Sequence, residues 1–255
     1  CWMRADAEAI APIVAVPTTA GTGSEVGRAS VITNSVTKEK KIIFHPKLLP
    51  SIVICDPELT VSMPLFITAG TGLDAFAHCV AAYCSPHYHP MSQGIALEGM
   101  RLVKTYLPQA YADGSDIEAR AQMMSAAAMG ATAFQKGLGA IHALSHPIGA
   151  IYNTHHGTTN AVCMPAVLQF NKSLVNEKLA SAANYLNICG GFEGFCDFVN
   201  KLNASLGIPK SLTEMGIKNM DIERVVDGAI SDPSAGGNPI KLTRENTREL
   251  LLSCC

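Results

Sequence analysis

An α/β piece followed by an all-helical domain is the architecture this sequence predicts, and three features predict it. Up to about residue 57 the chain runs in short β-rich stretches punctuated by Gly, Thr, Pro and Asn. From Pro64 onward, Ala, Leu and Met recur at helical spacing with helix breakers between the segments. The 255 residues are 48% hydrophobic and 16% charged, which is enough to bury a sizeable core.

Taken in order, strands are expected at 13–16, 30–33, 41–44 and 52–55. Helices are expected near 65–83, 89–108, 116–134, 137–152, 158–171, 174–188, 192–206, 221–231 and 243–253. The turn Gly207-Ile208-Pro209 and the loop Gly236-Gly237-Asn238-Pro239 separate the last helices. This divides the chain into a strand-rich unit, 1–57, and a helical unit, 58–255. Ligand sites favour such junctions. The opening "CWMRADAEAIAPIVAVP" passes from a short polar stretch straight into a strand, so a further upstream segment is expected.

Composition excludes several classes. The net charge is −2 with no basic run, which leaves no electrostatic footprint for nucleic acid or an anionic membrane. Nine cysteines, an odd number with no C-x-x-C pair, argue against a disulfide framework or a zinc finger. Most are expected to be small buried hydrophobes in a reducing compartment. No signal-peptide layout or clean apolar run of spanning length is evident, so the expectation is a soluble cytoplasmic protein.

Chemistry concentrates in the histidines. Asp74 and His78 in "GTGLDAFAHCVAAY" are four residues apart, on one helix face. His142 and His146 repeat that spacing in "GAIHALSHPIGA", and His155 and His156 follow in "YNTHHGTTNA", before a Gly-led turn. Three neutral imidazoles and a carboxylate make a good ligand set for Zn2+ or Fe2+. On spacing alone, helices carrying solvated or core histidines fit equally well. Cys79 follows His78 and points roughly 100° around the helix, away from a shared ion. The "VPTTAGTGSEVG" segment offers small residues and hydroxyls that can approach a phosphate, though alone it reads equally as a turn.

The linked motifs "TTAGTGSE", "GTGLDAFAHCVAAY", "GLGAIHALSHPIGAIYNTHHGTTNAV", "GIP" and "GGNP" resemble the iron-containing (group III) alcohol dehydrogenase family from Val14 to the last helix. The resemblance implies a dehydroquinate synthase-like architecture. Residues 1–57 would be the C-terminal part of a Rossmann-like dinucleotide-binding domain, and 58–255 the metal-binding catalytic domain. It implies Asp74, His78, His142 and His156 as metal ligands, with His155 a neighbour only. His146 would lie near the nicotinamide, where it can relay a proton. Thr18, Thr19 and Thr22 would contact the pyrophosphate and ribose of NAD or NADP. Lys40 matches a ribose-contacting lysine, an assignment that can shift to Lys38 or Lys41.

The implied reaction is hydride transfer between a small alcohol or diol and NAD(P), with Fe2+ or Zn2+ activating the alcohol. The complete enzyme is expected to be a homo-oligomer. The family's upstream "GGGS"-type loop and cofactor-selecting residue are absent from these 255 residues, so the piece alone is expected to fold its helical half but to fail as a stand-alone dehydrogenase. Two rivals stand beside this reading. One is a metal-dependent hydrolase or lyase using the same four ligands, which has no use for the Thr-rich turn or Lys40. The other is a catalytically incompetent helical fragment or interaction domain. The full Asp-His-His-His set argues against the maleylacetate reductases.

Overall fold

A computed structural model describes residues 6–37 and 40–255. Cys1 and Lys38 lie outside the described residues. Strands come first, as two separate ladders. Strand β1 (Val14–Ala15) pairs in parallel with β4 (Ile52–Val53), in the register Val14↔Ile52 and Ala15↔Val53. Strands β2 (Ala29–Thr33) and β3 (Lys40–Phe44) form an antiparallel pair, Ala29 opposite Phe44. The runs at 13–16 and 52–55 shorten to two residues each because, among the described residues, each has a partner on one side only. Val14, Val16, Val31, Ile32, Ile52 and Ile54 are exposed, so the strands present an apolar surface.

Eight α-helices follow: α1 (Leu65–Cys84), α2 (Pro90–Ala112), α3 (Ile117–Ala133), α4 (Ala140–Tyr152), α5 (His156–Tyr185), α6 (Gly191–Ser205), α7 (Ile222–Ser231) and α8 (Arg244–Leu252). Several ends are capped as their sequences suggest. Asp116 accepts from the Ala119 N–H, Asp221 from the Arg224 N–H, and Thr243 and Asn246 form a capping box on α8. Helix α6 stops before Gly207, which adopts the left-handed conformation (φ 68°) that terminates helices.

Two corrections concern helix α5. The expected separate helices at 158–171 and 174–188 are one continuous helix of 30 residues. Asn171 does not break it because its side chain is already committed to tertiary structure. Asn171 Nδ2 donates to Asn238 Oδ1 (3.0 Å), and Asn238 Nδ2 returns a bond to Asn171 Oδ1 (2.9 Å). Asn238 Oδ1 also accepts from the Ala140 N–H at the start of α4 (3.0 Å). The "GGNP" loop thus fastens α4 to α5. The second correction is that "HHG" is a helix start rather than a turn, since His156 and Gly157 open α5.

Helix α1 is the central element, packed against α2, α3 and α5. From Thr68 to Cys84 every residue except Thr71 is buried. It does reach membrane-spanning length and apolarity, contrary to the expectation from sequence. Its apolar faces are covered by neighbouring helices, which is what a core helix requires. Its carboxyl end is held by buried Lys136, whose ammonium donates to the carbonyls of Ala82 and Ser85 (both 2.9 Å). A cation satisfies the last carbonyls of a helix and complements its dipole.

Candidate metal centre and adjoining cleft

Helix α1 places Asp74 and His78 one turn apart on the side that meets α5, where His142 of α4 also reaches them. The first turns of α4 and α5 bring His142 and His156 to the same point. Close approach makes this possible. A Cβ at Gly157 would collide with the Gly70 carbonyl and stand 3.1 Å from the Asp74 Cβ. Only a hydrogen at 157 lets the start of α5 lie on α1.

The geometry converges on one carboxylate oxygen. The Nε2 atoms of His78, His142 and His156 are each 3.6 Å from Asp74 Oδ1. The donor atoms of Asp74, His142 and His156 all lie within 4.8 Å of one another, while His78 falls outside that mutual set. Asp74, His78 and His142 are buried, and the His156 side chain is 31% exposed, so the cluster opens on the His156 side. His155 takes no part in it. Its Nδ1 accepts from the Thr158 N–H and contacts the Thr158 hydroxyl, capping α5. Cys79 is turned away against α2, where its Sγ fills the space beside Gly99, and burial pushes its thiol pKa up to about 12.

Electrostatics prepare the cluster for a cation. Burial holds the imidazoles neutral, lowering His142 to about 4, His156 to about 3, and His78 below its ordinary value. Burial also works to raise Asp74, but the three surrounding imidazoles overcome it and keep the carboxylate ionised. Among the described residues, buried His142 Nδ1 and Asn160 Oδ1 have no hydrogen-bond partner. Donors bound about 2.1 Å from a tetrahedral ion lie roughly 3.4 Å apart, close to the 3.6 Å found here. Three neutral Nε2 atoms and one anionic oxygen at this spacing therefore fit a divalent metal ion.

A pH dependence follows for the metal-free protein. An unfolded histidine titrates near its ordinary value of 6.5, whereas folded His142 and His156 resist protonation down to about 4 and about 3. Below pH 6.5 the unfolded chain therefore binds more protons, and stability falls with acidification. The melting temperature should be level above about pH 7 and decline steadily between about pH 6.5 and 4. Thermal melts across that range measure it, and a flat profile would contradict the burial of these rings.

Beside the cluster lies a cleft of about 520 Å³ lined by Lys40, His146, Arg224, Asp227 and Asp232, among others. The His146 ring stacks on His156 at 5.4 Å. Its Nδ1 is 2.8 Å from Asp232 Oδ2, so the histidine bonds a carboxylate rather than backbone. Burial is the largest influence on Asp232 and tends to raise it, but His146 and the hydrogen bonds from Ser234 together outweigh it and keep the group ionised. Lys40 is half-buried in the same wall, where burial lowers its ammonium pKa and Asp232 and Asp74 work in the opposite direction.

Thr18, Thr19 and Thr22 do not line this cleft. They are exposed on one side of their loop, while Ala20, Gly21, Gly23 and Glu25 are buried on the other. The Gly21 backbone lies beside the His78 ring, and a Cβ there would meet Thr71 of α1 at 2.6 Å. Small residues thus seat the loop on α1 and leave its hydroxyls outward. Sequence reasoning missed Asp232 and Asn160. Nothing in spacing joins Asp232 to His146, 86 residues away. Asn160 stands four residues after His156, the same interval that selected His78, and was legible by that rule.

Residues 68–255 match the family described as "Fe-containing alcohol dehydrogenase family, C-terminal", and residues 2–57 match "Iron-containing alcohol dehydrogenase". The 4-hydroxybutyrate dehydrogenase of Cupriavidus necator is 40% identical over 251 residues, covering 94% of this chain and 65% of the relative. The NAD-dependent methanol dehydrogenase of Bacillus methanolicus is 38% identical over 250 residues, covering 95% and 66%. A solved structure of 1,3-propanediol oxidoreductase superposes with a TM-score of 0.91 at 37% identity, covering 96% of this chain and 66% of that one. The chain belongs to the iron-containing alcohol dehydrogenase family and has its fold, with an all-helical C-terminal part. It spans about two thirds of the length of the curated relatives it matches.

Proposed function

We propose that this chain is the metal-binding and partial cofactor-binding portion of an NAD(P)-dependent alcohol dehydrogenase acting on a small alcohol or diol. The convergence of Asp74, His142 and His156, with His78 beside them, on a pocket that opens toward Lys40 and His146 carries this reading. Asp74, His78, His142 and His156 hold one divalent ion, Fe2+ or Zn2+. When bound, such an ion would supply Lewis-acid stabilisation for an alcohol oxygen, and NAD or NADP would supply the hydride acceptor.

The chain's own residues do the rest. His146 donates through Nδ1 to Asp232, which leaves Nε2 to take the alcohol proton directly or through water. Asp232 stabilises the charge that His146 then carries. Lys40 and the outward hydroxyls of Thr18, Thr19 and Thr22 bind the ribose and pyrophosphate. Residues 1–57 act as the closing part of a Rossmann-like unit and 58–255 as the catalytic unit, a division supported by strands that end at Val53 and helices that begin at Leu65. The eight free cysteines among the described residues support a cytoplasmic setting, and the exposed apolar strand surface supports assembly with further chain or with other copies.

Cofactor titration followed by nicotinamide fluorescence tests this reading. In the complete enzyme, Thr19→Val and Lys40→Ala should each weaken dinucleotide binding by about 1–3 kcal/mol while leaving the metal content unchanged. Unchanged affinity in both variants would make the loop purely structural.

A further inference from the structure

The cleft beside the metal cluster has two ends. At one, His146 of α4 meets Asp232, the residue that closes α7. At the other stands Arg224, in the first turn of α7. Arg224, Asp227, Gly228 and Ser231 line the wall between them at helical spacing, so one face of α7 forms it. Arg224 lies eight residues before Asp232, which is roughly 12 Å along the helix axis. Pro147 and Ile151 of α4 add apolar surface to the same cleft.

The charges in this cleft are not equally engaged. Asp227 accepts from two guanidinium nitrogens of Arg244 on α8. Asp232 holds His146 and accepts from the Ser234 N–H. Asp221 caps α7 by accepting from the Arg224 N–H. Lys40 is attracted by both Asp232 and Asp74, and Lys41 is engaged as well. The Arg224 guanidinium differs from all of these. It is exposed, and its side chain makes one hydrogen bond, from Nη2 to the Thr37 carbonyl at 3.1 Å. That bond holds the group at the cleft wall and uses one of its five N–H donors. Among the described residues, no carboxylate forms an ion pair with it.

A neutral alcohol gains nothing from such a group, whereas a carboxylate matches the guanidinium fork and can take two parallel hydrogen bonds. One unmatched positive charge calls for one negative charge. The loop of Thr18, Thr19 and Thr22, to which the cofactor pyrophosphate is assigned above, lies outside this cleft, which leaves the anion to the substrate. We propose that Arg224 selects the substrate: the alcohol carries a carboxylate at its far end, held by Arg224 while the carbinol end lies beside His146. This rests on the dehydrogenase reading above and narrows it to ω-hydroxycarboxylates, with the corresponding aldehyde carboxylates in the reverse direction. The carboxylate itself is unchanged by the reaction; the carbinol carbon gives a hydride to NAD(P)+ and its oxygen gives a proton to His146.

The test, in the complete enzyme, compares 5-hydroxypentanoate with 1,5-pentanediol and 6-hydroxyhexanoate with 1,6-hexanediol. Each pair differs only at the far end, and initial rates give kcat/KM for each member. Wild type is expected to favour the acid of each pair. Arg224→Leu should lower the acid-to-diol ratio about ten- to a hundredfold, mainly through the KM of the acid. Arg224→Lys, which keeps the charge and loses the fork, should fall between the two, and Arg224→Glu should lie below Arg224→Leu. A wild-type preference for the diols, or an unchanged ratio in Arg224→Leu, overturns the proposal. So does a rise in the KM of NAD(P) with acid and diol alike, which would give the guanidinium to a cofactor phosphate. Should Arg224→Leu not fold, Arg224→Glu decides alone by the same ratio. A wild-type enzyme that oxidises no alcohol at all instead overturns the dehydrogenase reading on which the proposal rests.

Discussion

Asp74→Ala is expected to cost about a hundredfold or more in affinity for Fe2+ or Zn2+, with helical content retained. Asp74 is the one anion in the cluster, and three imidazole nitrogens stand 3.6 Å from its Oδ1. Removing it leaves three neutral donors and no charge to offset that of a divalent ion. The variant should also lose the metal-dependent rise in melting temperature, since an ion that binds only the native state stabilises it by mass action. Elemental analysis of protein purified without chelator, with parallel thermal melts, reads both effects. Full metal occupancy in an Asp74→Ala/His142→Ala double variant would remove these residues from the ligand set.

The second large effect is expected at a residue that offers no ligand atom of its own. Gly157→Ala places a methyl group against the Gly70 carbonyl, which is backbone and cannot swing aside. Helix α5 must move off α1, and His156 moves with it. Overpacking of this kind costs about 1–3 kcal/mol, and the upper end is expected where the obstacle is main chain. Metal binding should fall as well, because the His156 Nε2 to Asp74 Oδ1 separation depends on that contact. Gly94→Ala on α2 is the matched control. Nothing lies within 4 Å of its added Cβ, so it should be neutral or stabilising by up to about 1 kcal/mol. Equal melting temperatures and metal contents for Gly157→Ala and wild type would show that the helix crossing does not set the site.

Much of this was legible in the sequence because helices write their faces into spacing. The four-residue intervals of Asp74 with His78 and of His142 with His146 put each pair on one face, and the ordered motifs identified the family before any coordinates. Spacing cannot say which faces meet. That α1, α4 and α5 converge depends on glycines at the crossings and on the Asn171–Asn238 clamp, contacts between residues 67 positions apart. The same clamp explains the false break after residue 171, since an asparagine that would end a helix in isolation is satisfied here from outside. The Asp232 partner of His146 was hidden for the same reason. The first and last strands were overread, while the paired β2 and β3 each run one residue longer than expected, because β-propensity marks what could pair, whereas a strand's length is fixed by the partners it has.

Anomalous X-ray diffraction from crystals grown with Fe2+ or Zn2+, recorded on both sides of the metal absorption edge, addresses the central claim most directly. One peak per chain is predicted, bounded by Asp74 Oδ1 and the Nε2 atoms of His78, His142 and His156, and beside Asn160. No peak there, or a single peak liganded by other residues, would contradict it.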